Sequence, residues 1–297
     1  MTAIRFHQLS KSFADKKILE NLSLSLEENK IYGFIGPNGA GKTTTLKMLL
    51  GLLKIDSGNI QIFEEEVTFG KTPTNRHIGY LPDVPEFYDY MTAKEYLQLC
   101  AKFNQQSQNV QELLEKVGLK DSKQLISSFS RGMKQRLGLA QALIHDPKIL
   151  ICDEPTSALD PKGRQDILEI ISNLRGKKTV IFSTHVLSDV EKICDDILVL
   201  RKKTIQNIDD LKDSLPRKQS LRISLKAQES DYLLLKEHFK LEKEDNRVIL
   251  HLPIKETQTE EKSLKDFYQR LNSCKIYPRA IEVLDQSLED IYLEVNS

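Results

Sequence analysis

Apolar and polar side chains alternate near the start of the chain, at Ile4, Phe6, Phe13, Ile18, Leu22, Leu24 and Leu26, with charged turns between. A period of two puts every second side chain on one face, so the pattern predicts short antiparallel strands. Ile31–Ile35 is an unbroken apolar run, read as a buried strand, and Thr44–Leu50 follows with helical spacing. Ser57-Gly58-Asn59 marks a turn before a short strand, Ile60–Phe63. From Pro85 to His145 the spacing lengthens to three and four residues, as at Tyr96, Leu97 and Leu99 or Met133, Leu137 and Leu143, until Pro147 stops it. Ile149–Cys152 and Thr179–Phe182 are again short apolar runs, with a helix expected over Pro161–Leu174 between them. Two such strands joined by a helix predict a parallel sheet covered on both faces, to which Ile197–Leu200 adds a strand.

After Arg201 the charge density rises and the units shorten. Strands are expected around Leu221–Leu225, Val248–Leu252 and Ala280–Leu284, and helices over Tyr232–Phe239 and along Leu264, Phe267, Tyr268 and Leu271. Ser287 with Asp290 can cap a last helix, Leu288–Val295. The predicted organisation is an α/β domain over residues 1–205, with a helical part over 85–145, followed by a small α+β domain over 206–297.

Composition narrows the function classes. Hydrophobic residues are 39% and aromatic residues 7% of the 297, enough for an ordinary core. Lysine and arginine number 43 against 43 aspartates and glutamates, so no global charge argues for nucleic acid or an anionic membrane surface. Cys100, Cys152, Cys194 and Cys274 match no zinc or C-x-x-C spacing. No segment approaches the roughly 18 to 20 apolar residues of a membrane span. Met1–Phe6 lacks the apolar run of a secretory signal, and the expectation is a soluble intracellular chain.

The candidate chemistry begins at Gly36-Pro37-Asn38-Gly39-Ala40-Gly41-Lys42-Thr43-Thr44, between the strand Ile31–Ile35 and a helix. Glycines let amide N–H groups crowd a phosphate, and the helix beginning there presents free N–H groups and a positive dipole end. Lys42 can reach the β- and γ-phosphates of a nucleoside triphosphate, and the Thr43 hydroxyl can ligate Mg²⁺. A second strand, Ile149–Cys152, ends in Asp153 and Glu154. Beside a phosphate loop, Asp153 can hold Mg²⁺, while Glu154, facing the other way along the pleat, can orient or deprotonate an attacking water.

Further motifs stand around these carboxylates. Phe129-Ser130-Arg131-Gly132-Met133-Lys134-Gln135-Arg136 precedes them, and Ser157-Ala158-Leu159-Asp160 and Ser183-Thr184-His185 follow. Together, over residues 1–205, they resemble the signature motif, D-loop and switch histidine of ATP-binding cassette (ABC) proteins. The resemblance implies a P-loop fold with a RecA-like core, an antiparallel β subdomain and a helical signature subdomain. It implies ATP with Mg²⁺, hydrolysed between two chains closed head to tail, and Glu154, His185 and Lys42 as catalytic residues. Ser130, Arg131, Gly132 and Met133 would meet the γ-phosphate held by the opposing chain, a homodimer being favoured. Phe13 would stack on adenine. Separate integral membrane permease subunits would hold the chain at the inner face of the membrane and be driven by it, in export. The rival reading is a non-transport ABC ATPase acting on DNA or ribosomes, and a third is a regulatory module with no turnover.

The chain departs from the common pattern at three places. Arg131 and Met133 give a Ser-basic-Gly-Met signature that resembles the drug-resistance and antibiotic-export branch. Asp83 stands at the Q-loop glutamine position, where it could bind Mg²⁺ or its water with shorter reach. Ala158 replaces the D-loop glycine, expected to be a mild change. Phe87, Tyr88 and Tyr90 either face the membrane subunit, as the family's arrangement implies, or pack inside the helical subdomain. The C-terminal part resembles the accessory domain of drug-type cassettes, best over Gln286–Leu293, with dimer support or regulation as the expected role.

Overall fold

The early alternation resolves into two long strands rather than several short ones, β1 (Thr2–Phe13) and β2 (Lys16–Glu27), paired antiparallel. Register shifts on either side of Leu9 absorb the irregular spacing, and Gln8 and Asn21 take left-handed backbone there, so the strands bend without ending. The computed structural model describes residues 1–297 except 15, 38, 72, 104–108, 202, 215–219, 226–234, 237–240, 245–246, 254–259, 274, 278–279, 285–287, 290 and 293–297. Of the expected helices, 235–236 within Tyr232–Phe239 and 288–289 and 291–292 within Leu288–Val295 are described and are helical, whereas Ser287 and Asp290 of the expected cap lie outside the described residues.

Strand β3 (Ile31–Ile35), buried at every position, leads into helix α1 (Lys42–Leu49). Strands β4 (Ser57–Ile62) and β5 (Glu65–Glu66) extend the first sheet in the order β2-β1-β4-β5. Strand β6 (Ile78–Leu81) is followed by helices α2 (Ala93–Lys102), α3 (Val110–Lys116) and α4 (Arg131–Leu143). A Thr92–Glu95 capping box starts α2. Then come β7 (Ile149–Asp153), α5 (Pro161–Ser172), β8 (Thr179–Ser183), α6 (Leu187–Ile193), β9 (Asp196–Arg201) and β10 (Thr204–Asn207).

The central sheet runs β10-β9-β3-β8-β7-β6, parallel from β9 to β6, with β10 antiparallel at one edge. Strands β3, β7 and β8 have no exposed position, as a sheet covered on both faces requires. Two glycines set close helix contacts. A Cβ on Gly33 of β3 would lie 2.3 Å from Val190 Cγ1 of α6, and one on Gly79 of β6 would lie 2.1 Å from the Ala142 carbonyl oxygen of α4. Helices α6 and α4 are therefore pressed directly onto the strands beneath them.

The chain divides into two units, residues 1–210 and 211–297, with helix α7 (Ile208–Ser214) at the boundary. The second unit has strands β11 (Ser220–Leu225), β12 (Leu241–Glu244) and β13 (Arg247–Pro253), helix α8 (Glu260–Ser273) and strand β14 (Ile281–Leu284). Its antiparallel sheet has the order β12-β13-β11-β14, and Phe267 and Leu271 of α8 share its core with Ile223, Leu225, Val248 and Leu250.

Candidate active site

Because β3, β8, β7 and β6 are parallel neighbours, the segments after their carboxyl ends emerge at one edge of the sheet. Four separated stretches of sequence thereby come to lie in a row along one edge: the loop Gly36–Gly41, Thr184-His185, Asp153-Glu154 and Pro82-Asp83. Leucines and isoleucines within the strands produce this convergence, and the polar residues take their places from it.

In the phosphate loop, Gly39 and Gly41 have positive φ, 77° and 116°. A Cβ on Gly41 would come within 2.4 Å of Ile18 Cγ2, so β2 lies against the loop. The same hairpin carries Phe13, whose ring is exposed, with Lys11 Nζ 5.1 Å from its centroid. Pro37 is exposed, Ala40 and Thr44 are half-buried, and Asn38 lies outside the described residues. Buried Lys42 donates from Nζ to the Gly36 carbonyl oxygen at 2.7 Å and stands 4.0 Å from Glu154 Oε1. Burial lowers its pKa, and the Glu154 and Asp153 carboxylates partly restore it.

Asp153 ends β7, and its Oδ2 accepts from the Thr43 hydroxyl at 3.1 Å. Its Oδ1 is buried and has no hydrogen-bond partner. A buried carboxylate oxygen left open beside a threonine hydroxyl is the kind of all-oxygen donor set that suits a hard divalent cation, so these two residues fit Mg²⁺. Burial pushes the phenol of neighbouring Tyr80 up to about 12, and the negative charges of Asp153 and Asp83 add to the effect.

Glu154 does not continue the pleat, contrary to the sequence expectation. It leaves the strand in a left-handed conformation, φ 49°, with its N–H donating to the Ser183 carbonyl at 2.9 Å. That bend turns its carboxylate toward Lys42 and toward His185, whose Nδ1 is 2.8 Å from Glu154 Oε2. The acid is largely buried, while the imidazole is more than half exposed. Ala158 is also left-handed, φ 51°, so replacement of a glycine there is not mild: a Cβ in that conformation costs about 1 to 2 kcal/mol.

Ser130 caps α4, its hydroxyl accepting from the Met133 N–H at 3.2 Å, with Arg131, Gly132 and Met133 forming the first turn. Asp83 makes an ion pair with Arg131, Oδ1 to Nη2 at 3.5 Å, and its carbonyl accepts from buried Gln135 at 2.7 Å. Two of the three departures from the family pattern thus meet each other. The Asp83 carboxylate stands beside the signature arginine. Of the aromatic stretch, Phe87 packs edge-on against Tyr96 at 5.2 Å, whereas Tyr88 and Tyr90 are exposed.

Sequence reasoning missed Asp189, Thr156 and Arg164. Asp189 is fully buried on α6 and accepts from the Thr156 hydroxyl at 2.9 Å and from Arg164 Nε at 2.7 Å. In sequence, an aspartate in the first turn of a helix reads as an exposed dipole partner, so only packing distinguishes it.

The family model described as ABC transporter matches residues 19–157. The chain is 37% identical, over 98% of its own length and 99% of the relative's, to the uncharacterized ABC transporter ATP-binding protein YxlF of Bacillus subtilis. The chain belongs to the ATP-binding proteins of ABC transporters. This ATP-binding protein is also 39% identical to the bacitracin transport ATP-binding protein BcrA of Bacillus licheniformis, over 80% of each chain. Among solved structures, the ATP-binding subunit of an ABC transporter aligns with a TM-score of 0.64 and 28% identity, over 71% of this chain and 92% of the other. The ADP form of the cassette MJ1267, at 24% identity and a TM-score of 0.61, shares the fold. Membership carries ATP binding and hydrolysis that power transport, together with membrane permease components. No helix among the described residues is long and apolar enough to cross a membrane.

Proposed function

We propose that the chain is the Mg²⁺-dependent ATPase subunit of an export system, acting as a pair of identical chains beneath separate permease subunits at the inner face of the membrane. The observation that carries this reading is the Glu154 carboxylate, held 2.8 Å from His185 and 4.0 Å from Lys42 at the edge where the phosphate loop opens. Lys42 exchanges the Gly36 carbonyl for the β- and γ-phosphates. Glu154 takes the proton of the attacking water, and His185, paired through Nδ1, holds that carboxylate and faces the γ-phosphate. Thr43 and Asp153 would hold Mg²⁺, which when bound offsets charge on the phosphates. Ser130–Met133 of the opposing chain would close the site over the γ-phosphate with the N–H groups that start α4. The name of the bacitracin transport relative and the Ser-Arg-Gly-Met signature favour an antibiotic-like cargo leaving the cell.

Glu154→Gln tests the assignment. Phosphate release should fall by about 10²- to 10⁴-fold, the usual worth of a positioned general base. Gel filtration in MgATP should then show a trapped pair. Parental turnover by that variant rejects Glu154 as the base, and an inactive variant that stays monomeric in MgATP rejects the paired site.

A further inference from the structure

We propose that Asp189 is a positioning residue for hydrolysis, fixing the separation of Glu154 and His185 by tying together the two backbones that carry them. Its side chain is fully buried, and an isolated carboxylate is costly there unless both oxygens are engaged. Both are: Oδ2 accepts from Thr156 and Oδ1 from Arg164. Thr156 sits in the tight turn after Glu154, which is closed by Ser157 N–H donating to the Glu154 carbonyl at 3.1 Å. On the other side, α6 begins two residues after His185, and Val190, next to Asp189, rests on Gly33 of β3. One buried carboxylate therefore spans the turn behind the acid and the helix behind the imidazole.

The third tie reaches further. Arg164 lies in the first turn of α5, with its N–H donating to the Asp160 carbonyl at 2.9 Å, and its Nη2 donates to Ser188 at 3.1 Å. Displacement of the segment Ala158–Asp160 is thereby passed to Asp189 and on to α6. Sequence distance hides this link, since Thr156, Arg164 and Asp189 belong to three different elements. None of the three is placed at the nucleotide by any contact above, so their loss should change geometry at the reacting atoms and leave ATP affinity alone.

The inference rests on the Glu154 assignment and has its own test. Phosphate release from MgATP is measured on the full chain for Asp189→Asn, Thr156→Val and Thr156→Ser, with kcat and KM separated. Displacement of a catalytic pair by about 1 Å can cost about 100-fold. Asp189→Asn and Thr156→Val should accordingly lower kcat at least about ten-fold with KM for ATP within about two-fold. Thr156→Ser, which keeps the hydroxyl, should remain near the parent. Asp189→Asn combined with Thr156→Val should be no slower than Asp189→Asn alone, because Asp189→Asn already disturbs the Thr156 bond together with the Arg164 pair. Parental kcat in Thr156→Val, multiplicative losses in the double variant, or a loss residing in KM overturns the proposal. Glu154→Gln run alongside separates the two readings: turnover there removes the base assignment, whereas an inactive Glu154→Gln beside a fully active Asp189→Asn removes only the role of Asp189.

Discussion

Gly79→Ala probes the contact that joins the signature helix to the sheet. The added Cβ would stand 2.1 Å from the Ala142 carbonyl oxygen, 2.9 Å from its carbon and 3.0 Å from Pro147 Cγ. The nearest of these is more than 1 Å inside ordinary contact and belongs to helix backbone, so no rotamer change relieves it; α4 and β6 must separate. Overpacking of this kind costs about 1 to 3 kcal/mol, and the backbone obstacle puts the value in the upper half of that range. Gly79 has no positive φ, so alanine returns about 0.4 to 1 kcal/mol through the unfolded chain, leaving a net loss of about 2 kcal/mol. For a unit of this size that is about 4 to 8 °C in melting temperature. Calorimetry of the full chain should resolve it in the transition that ATP shifts upward, since ligand stabilises only the unit that binds it. The phosphate loop follows β3, which β7 and β8 separate from β6, so ATP affinity should hold while kcat falls. A transition moved by less than about 1 °C would refute the reasoning from the Ala142 contact.

Other expectations follow from single observations. Phe13→Ala removes an exposed ring, and loss of stacking worth about 1 to 3 kcal/mol should raise KM for ATP about ten-fold with kcat and melting temperature unchanged; an unaltered KM removes Phe13 from the adenine site. Ala158→Gly should stabilise by a few tenths to about 1 kcal/mol, whereas the β-branched Ala158→Val should destabilise by more than about 1 kcal/mol, both read as melting shifts of opposite sign. His145 and His77 are held below the ordinary histidine value, mainly by burial, with His145 Nε2–H donating to the Ile78 carbonyl. The unfolded chain therefore binds these protons first. Their contribution is complete above about pH 6.5 and is lost as the pH falls toward their folded values. Melting temperature should drop between about pH 7.5 and 5.5, and His145→Gln should flatten that slope; a slope identical to the parent's would exclude His145.

The kind of chemistry and most of the framework were legible in the order of residues alone. Continuous apolar runs at Ile31–Ile35, Ile149–Cys152 and Thr179–Phe182 read as strands covered on both faces, and Gly36–Thr44 after the first of them marked a candidate phosphate loop. Those signals are local, a matter of period, glycine placement and helix starts, so they survive without coordinates. Whatever depends on which strands are neighbours, and on how the chain turns at their ends, came from folding in three dimensions. The placing of β8 between β3 and β7 brought His185 beside Glu154. A left-handed bend at Glu154, where alternation would have pointed the carboxylate away, aimed it at Lys42. Asp83 and Arg131, 48 residues apart in sequence, stand together because β6 and α4 pack together. Asp189 was invisible in sequence because an aspartate's burial is set by three elements converging on it, and no residue's own neighbours in the chain record that.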